Sequence, residues 1–125
     1  MRSPEQILRE ARTIAVVGAS PRPERPSHGV ARYLERAGYR VFRVNPFCEA
    51  YWPSLASLEE PVDLVDVFRR AEFCADVARE AAAVGAPALW LQLGVRSAEA
   101  RQVAIASGMD YVEDACTAIV HRDLG

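Results

Sequence analysis

A continuous apolar run near the start of the chain, Ile14-Ala15-Val16-Val17-Gly18-Ala19-Ser20, constrains the fold more than any other stretch. An apolar run without polar alternation is typical of a strand that is buried on both faces, as in a parallel sheet. A loop with three prolines follows at 20–26, and a helical pattern then begins at Ser27. Strand, small-residue turn and helix form the first half of a βαβ nucleotide-binding unit, in which free backbone N–H groups attract phosphate.

Strand and helix patterns alternate along the rest of the chain. Apolar or β-branched runs predict four further strands, at 39–44, 62–67, 88–91 and 111–112. Helical spacing predicts helices at 3–12, 27–37, 71–84 and 98–107 and a helical turn at 57–60, with Ser27 and Ser97 as N-caps and Gly38, Gly85 and Gly108 as stops. This alternation predicts an α/β fold with a parallel sheet and helices on both faces. We expect one domain over 1–125, with the tail 113–125 lying back over the site.

Length and charge narrow the class of protein. The 125 residues suffice for a domain whose core needs no disulfide or metal. A formal net charge of -2 gives no reason to expect binding to nucleic acid or to an anionic membrane. No apolar run approaches the roughly 18 residues of a membrane span, and the N-terminus has no signal-peptide core, so we expect a cytoplasmic protein.

The cysteines and histidines do not form a recognisable metal or disulfide pattern. Cys48, Cys74 and Cys116 are odd in number, widely spaced and without a C-x-x-C pair. His28 and His121 are far apart, and neither lies in a cluster with ligand spacing. We therefore expect neither a disulfide framework nor a metal centre.

A ligand of such a sheet lies across the carboxyl ends of the strands, at the point where the chain order reverses. In this sequence those ends are the segments 18–20, 45–46, 68–69 and 92–94, which we expect to converge. The phosphate-binding signal of the first segment is incomplete, because Ser20 and Pro23 replace glycines of the G-x-G-x-x-G pattern. A glycine turn without any ligand is therefore an equal alternative at this stretch.

The end of the second strand lacks the carboxylate with which NAD-binding proteins hold the ribose hydroxyls. Val44-Asn45-Pro46 stands there instead, directly after Arg43. A cation without a carboxylate suits a ribose that carries a phosphate. NADP and a 3′-phosphorylated ADP such as coenzyme A (CoA) both satisfy this condition.

Five motifs in succession carry a family resemblance: VVGAS, GYRVFRVNP, DLVDVF, LWLQLG and a late DAC followed by His121. Together they resemble the small single-domain CoA-binding proteins, which are similar to the N-terminal CoA-binding domain of the succinyl-CoA synthetase α subunit. The resemblance extends from Ile14 to about Arg122. It implies a Rossmann-like three-layer αβα sandwich with a parallel sheet of about five strands, and it implies coenzyme A as the ligand. The synthetase's second domain and phosphohistidine segment are not matched, so its catalysis is not implied.

The same resemblance assigns roles to residues at the strand ends. It implies that the phosphates are held by Gly18, Ala19, Ser20 and Arg22. It implies that the adenine and ribose are bordered by Val44, Asn45 and Pro46, and that the pantetheine side is lined by Phe68, Arg69, Gln92 and Gly94.

Several other residues have competing interpretations. Arg25 and Arg43 are expected to be plain surface arginines, and Asn45 is as much a turn former before proline as a site residue. Asp66 lies in an apolar strand and is expected to anchor a loop backbone or an arginine rather than to catalyse, because an unpaired buried carboxylate is costly. Trp52 is expected either to cover the ligand or to fill a homodimer contact.

The leading functional hypothesis is a module that binds CoA or an acyl-CoA without its own catalysis, since no carboxylate pair, metal cluster or convincing nucleophile accompanies the phosphate turn. An NADP-dependent oxidoreductase, or a fragment of one, is the first alternative. A CoA- or redox-sensing interaction protein that uses Cys48 or Cys116 is the second. Cys116 with His121 forms a nucleophile and base only if the fold brings them into contact.

Overall fold

The apolar run near the start of the chain forms a strand with a parallel neighbour on each side. The computed structural model describes residues 1–124, in which the strands form one parallel sheet of order β2-β1-β3-β4-β5. The strands are β1 (Thr13–Val17), β2 (Arg40–Val44), β3 (Leu64–Val67), β4 (Ala88–Leu91) and β5 (Asp110–Val112). The predicted parallel sheet is confirmed.

Helices cover both faces of this sheet. They are α1 (Pro4–Glu10), α2 (Pro26–Arg36), α3 (Ala71–Ala83), α4 (Ala98–Ala106) and α5 (Thr117–Arg122), with a short 3-10 helix at Leu55–Ser57. Buried residues of α3 and α4 share one cluster with the sheet, and those of α1 and α2 share the other. The molecule is therefore the three-layer αβα sandwich of the Rossmann-like class.

Alternation along β1 explains why the strand is apolar throughout. Ile14 and Val16 belong to the cluster beneath α1 and α2, whereas Ala15 and Val17 belong to the cluster beneath α3 and α4. Burying one aliphatic side chain of this size contributes roughly 1.5–3 kcal/mol. A polar residue at any of these positions would lose that contribution on one face or the other.

Three local predictions differ from the structure. Ser27 is not the N-cap of α2, because the helix begins one residue earlier with Arg25 at the cap. The helical turn predicted at 57–60 lies at Leu55–Ser57. Helical spacing predicts an inward stripe on α3 that starts at Phe73, but Phe73 is 39% exposed, and the inward positions include Cys74 and Ala78, which are fully buried.

The strand order reverses between β1 and β3, because the chain first runs outward to β2 and then returns to the other side of β1. The loops that leave β1 and β3 therefore lie side by side. At Gly18 they are so close that a Cβ atom would be 2.5 Å from the carbonyl oxygen of Phe68. Gly18 also has φ +86°, a conformation that favours glycine.

None of the helices within residues 1–124 has the length and apolarity that a membrane span requires.

Candidate functional site

A cleft of about 680 Å³ lies at the carboxyl ends of β1, β3 and β4. It is placed at the reversal of strand order, where ligands of open parallel sheets bind. Seven residues that the sequence predicted for the site line it: Gly18, Ser20, Arg22, Asn45, Phe68, Arg69 and Gln92. These residues come from four segments far apart in sequence, so the predicted convergence of the strand ends is observed.

The other four predicted residues lie outside this lining. Val44 and Pro46 border a second cavity of about 220 Å³ beside α3, and Arg69 lines both cavities. Ala19 is buried, and its carbonyl oxygen accepts a hydrogen bond from Asn45 Nδ2 at 2.9 Å. The Gly94 N–H donates to the Asp114 carboxylate at 2.7 Å. Ala19 and Gly94 therefore shape neighbouring loops, and their contact with a ligand stays a prediction.

The prediction of free N–H groups along the turn after β1 is wrong for most of that turn. The Gly18 N–H donates to the Val44 carbonyl oxygen at 2.9 Å. The Ser20 N–H donates to Ser27 Oγ at 3.0 Å, and the Arg22 N–H donates to Ser20 Oγ at 3.1 Å. Serine hydroxyls thus occupy donors that a phosphate would otherwise use. At the start of α2 the Ser27 N–H has no acceptor within residues 1–124, so it is a backbone donor that remains beside the cleft.

Four arginines give one part of the cleft a positive charge: Arg22, Arg25, Arg69 and Arg70. Arg22 pairs with Glu24 at 2.9 Å, and Arg70 lies 3.6 Å from Glu72. Arg25 and Arg69 have no ionic partner within residues 1–124, and the Arg69 guanidinium lies 4.6 Å from the centre of the Phe73 ring. Arg25 was expected to be a plain surface arginine; it is exposed, and it also lines the cleft.

Arg43, in contrast, is engaged away from the cleft. Its guanidinium donates to both oxygens of Glu35, at 2.8 and 3.0 Å. This hydrogen-bonded pair lowers the pKa of Glu35 and raises the pKa of Arg43. The charge that suggested a phosphorylated ribose is therefore neutralised within the protein, and the arginines of the cleft come from other loops.

Asn45 both forms a turn and lines the cleft. Its Oδ1 accepts from the Phe47 N–H at 2.9 Å, while its Nδ2 donates to the Ala19 carbonyl oxygen. The side chain thereby ties the loop after β2 to the loop after β1. The two interpretations of this residue, turn former and site residue, are compatible.

A buried polar cluster lies beneath the β4 side of the cleft. Asp66 is fully buried, and burial raises its pKa to about 7 even though hydrogen bonds from Gln92 and Thr117 oppose that shift. The prediction that Asp66 anchors a loop backbone or an arginine is wrong, since both of its partners are neutral side chains. The partners lie 26 and 51 residues away in sequence, so no local pattern identified them.

One of the three cysteines lines the cleft within the described residues, and this is Cys116. Cys74 is buried, with its thiol donating to the Arg70 carbonyl oxygen at 3.4 Å. His121 Nδ1 pairs with the Tyr33 hydroxyl at 2.9 Å, so His121 packs α5 onto α2. Within residues 1–124 no three His, Cys, Asp or Glu side chains are grouped as metal ligands would be.

Trp52 packs on β2 and is not among the residues that line the cleft. Its ring lies edge-on to Phe42 with the centroids 6.3 Å apart. The prediction that it covers the ligand therefore finds no support in this position. A homodimer contact at Trp52 stays a prediction.

Sequence reasoning missed several lining residues: Arg25, Pro26, Ser27, Val30, Arg70, Leu93, Val95, Cys116 and Ile119. Arg70, Leu93 and Val95 lie within or directly beside a predicted strand end, whereas the other residues come from the start of α2 and from the start of α5. Cys116 and Ile119 are brought in by α5, which is only six residues long and has no periodic signal. The expectation that the tail lies back over the site is confirmed for these two residues.

The sequence model described as CoA binding domain matches residues 12–122. The uncharacterized protein YneT of Bacillus subtilis is 37% identical over 122 residues, which is 94% of this chain and 90% of that protein. The structure of cell-free ID.343 from Thermus thermophilus superposes with a TM-score of 0.92 and 36% identity, over 99% of this chain and 100% of that one.

A more distant likeness concerns the fold alone. The dinucleotide-forming acetyl-coenzyme A synthetase 1 of Ca. Korarchaeum cryptofilum matches with a TM-score of 0.71 and 20% identity. The match covers 80% of this chain and 25% of the synthetase chain.

Proposed function

Because the chain belongs to the CoA-binding domain family, we propose that it binds coenzyme A or an acyl-CoA in the cleft at the carboxyl ends of β1, β3 and β4, as a binding or regulatory module without its own catalysis. The family resemblance expected from the sequence is confirmed. The ligand, the contacts and the absence of catalysis are what we propose.

The observation that carries the proposal is the division of the cleft into a cationic part and an uncharged part. The four arginines come from the loops after β1 and β3, and no carboxylate lines the cleft within residues 1–124. The loop after β4 and helix α5 contribute Gln92, Leu93, Val95, Cys116 and Ile119. Coenzyme A has the matching division, since its phosphates are anionic and its pantetheine arm is neutral.

The contacts we propose follow from this match. Arg22, Arg25 and the Ser27 N–H hold phosphate oxygens, because charge-assisted hydrogen bonds to anions are the strong ones. Ser20 and Gly18 allow the ligand to approach the backbone closely. The adenine and ribose lie towards Asn45, with Val44 and Pro46 behind it. The pantetheine arm leaves the cationic part beside Phe68 and Arg69 and reaches the uncharged part at Gln92.

Calorimetric titration of the purified protein with CoA, dephospho-CoA, NADPH and NADH tests this function. We expect CoA to bind about tenfold or more tightly than dephospho-CoA, because the 3′-phosphate meets an arginine without an ionic partner in the described residues 1–124. The advantage should shrink as salt is raised, since these guanidinium groups border an open cleft. Absence of CoA binding alongside clear NADPH binding would overturn the proposal in favour of the oxidoreductase alternative.

A further inference from the structure

We propose that Gln92 is a specificity-determining residue whose amide oxygen accepts a hydrogen bond from an N–H or O–H group on the neutral arm of the ligand. Asp66 and Thr117 are the positioning residues that hold the amide in this orientation. The inference rests on the proposed function and identifies which part of CoA is recognised at the uncharged part of the cleft.

The amide nitrogen of Gln92 is fully committed within the protein. It donates to Asp66 Oδ1 at 2.6 Å and to Thr117 Oγ1 at 3.0 Å, which uses both hydrogens of the amide. Gln92 is 5% exposed and lines the cleft. Its oxygen accepts nothing from residues 1–124, whereas every fully buried polar side-chain atom there has a partner. The oxygen is therefore an accessible, unpartnered acceptor at the cleft wall.

The orientation of the amide is dictated by Asp66. Asp66 is fully buried in β3, where it pairs in register with Val16 on one side and Trp90 on the other. Its second oxygen accepts from the Thr117 hydroxyl at 2.9 Å. In its ionised form, which prevails above the pKa of about 7, this carboxylate only accepts hydrogen bonds, so the glutamine turns its nitrogen towards Asp66 and its oxygen away. Reversing the amide would bring two acceptors together at a buried position, which is costly.

The surroundings of this acceptor make it selective. The neighbouring lining residues Leu93, Val95 and Ile119 offer no hydrogen-bonding side chain, and the arginines lie on other loops. A ligand group that covers the oxygen without donating to it would leave a polar atom unpaired. The pantetheine arm of CoA carries amide N–H groups and a hydroxyl that can donate to this oxygen. Adenosine 3′,5′-bisphosphate has the phosphorylated adenosine that we propose binds the arginines, but it lacks this arm.

The test compares these two ligands on Gln92→Met, which keeps the length of the side chain and removes the acceptor. We expect the affinity for CoA to fall about tenfold and the affinity for adenosine 3′,5′-bisphosphate to stay within about twofold of the wild type. Thr117→Val is the second variant, because it leaves Gln92 in place; it releases one amide hydrogen of Gln92 and removes the hydroxyl that donates to Asp66. Thr117→Val should lower the affinity for CoA about threefold and again leave the affinity for adenosine 3′,5′-bisphosphate nearly unchanged. Thr117→Ser should restore the wild-type affinity for CoA.

The outcomes separate this inference from the proposed function. If the wild type binds neither CoA nor the bisphosphate, the proposed function fails and the inference fails with it. If the wild type binds both, and the folded variants weaken both equally or neither, the proposed function stands and the role of Gln92 is overturned. Should Gln92→Met not fold, the Thr117→Val and Thr117→Ser pair decides the question by the same ligand comparison.

Discussion

The two parts of the cleft are built from opposite kinds of polar structure. The loop after β1 presents arginines at the surface, and the Arg22 side chain is 66% exposed. Prolines and hydrogen bonds from backbone N–H groups to the hydroxyls of nearby serines shape this loop. The β4 side instead depends on Asp66, Gln92 and Thr117, all at least nine-tenths buried. An exposed charge costs the folded state little free energy, and its interactions are screened by salt. A buried polar cluster destabilises the folded state unless each of its groups has a hydrogen-bond partner. The first part is therefore suited to attract an anion and the second to fix one hydrogen-bonding orientation.

The largest effect is expected where the loops after β1 and β3, which form the cationic part, approach each other. Gly18→Ala places a Cβ atom against the Phe68 carbonyl oxygen at a positive φ, so we expect the free energy of unfolding to fall by about 2–4 kcal/mol. Gly29→Ala is the matched control, because Gly29 lies within α2 with open space around it. That change should stabilise the protein by up to about 1 kcal/mol. Equal free energies of unfolding for the two variants in urea denaturation would contradict the close approach of the loops after β1 and β3.

The next effect concerns the buried part and its dependence on pH. Asp66 keeps its proton up to a pKa of about 7 in the folded protein, whereas an unfolded aspartate releases it near 3.9. Between these values the folded state binds more protons, so this residue makes the free energy of unfolding fall as pH rises from about 4 to 7. The slope cannot exceed about 1.4 kcal/mol per pH unit for one proton.

Asp66→Asn should remove this contribution while keeping a side chain that can hydrogen-bond to Gln92 and Thr117. Urea melts at several pH values between 4.5 and 8.5 measure the difference between the variant and the wild type. Arg22→Gln is the comparison from the exposed part and should retain the full slope. Parallel pH profiles for Asp66→Asn and the wild type would show that Asp66 does not titrate in this range.

The smallest effect is expected for single arginines of the exposed part. Arg25→Gln should weaken CoA binding about three- to tenfold, because this guanidinium has no competing carboxylate within residues 1–124. Its effect on the free energy of unfolding should stay within about 0.5 kcal/mol. Arg43→Gln serves as the control for lost charge, since Arg43 is paired with Glu35 outside the cleft. Equal losses of affinity in both variants would mean that only the net charge matters.

Local sequence patterns predicted the sheet better than they predicted the cleft. The run around Val16 and the segment Ala88–Leu91 were recognisable because burial on both faces leaves a continuous apolar stretch. Ser97 was correctly predicted as a cap, and its Oγ accepts from the Ala100 N–H at 3.1 Å. These features are decided by residues close together in sequence.

The polar details of the cleft were decided by contacts that a local pattern does not contain. The phosphate turn was expected to expose its N–H groups, but Ser27 lies seven residues beyond Ser20 and takes one of them. Asp66 was recognised as a residue that needs partners, and the partners themselves arrive from β4's loop and from α5. Arg25 was expected on the surface and is exposed there, but no local pattern indicated that it also borders the cleft.

The hydrogen bond between Thr117 and Asp66 joins two residues that are made at different times during synthesis. Asp66 leaves the ribosome 51 residues before the hydroxyl that satisfies its second oxygen. Until that hydroxyl emerges, a nascent chain that packed its central strands would bury the Asp66 carboxyl with one oxygen lacking a hydrogen bond. The central strands are therefore expected to pack fully only once Thr117 is available to pair with Asp66.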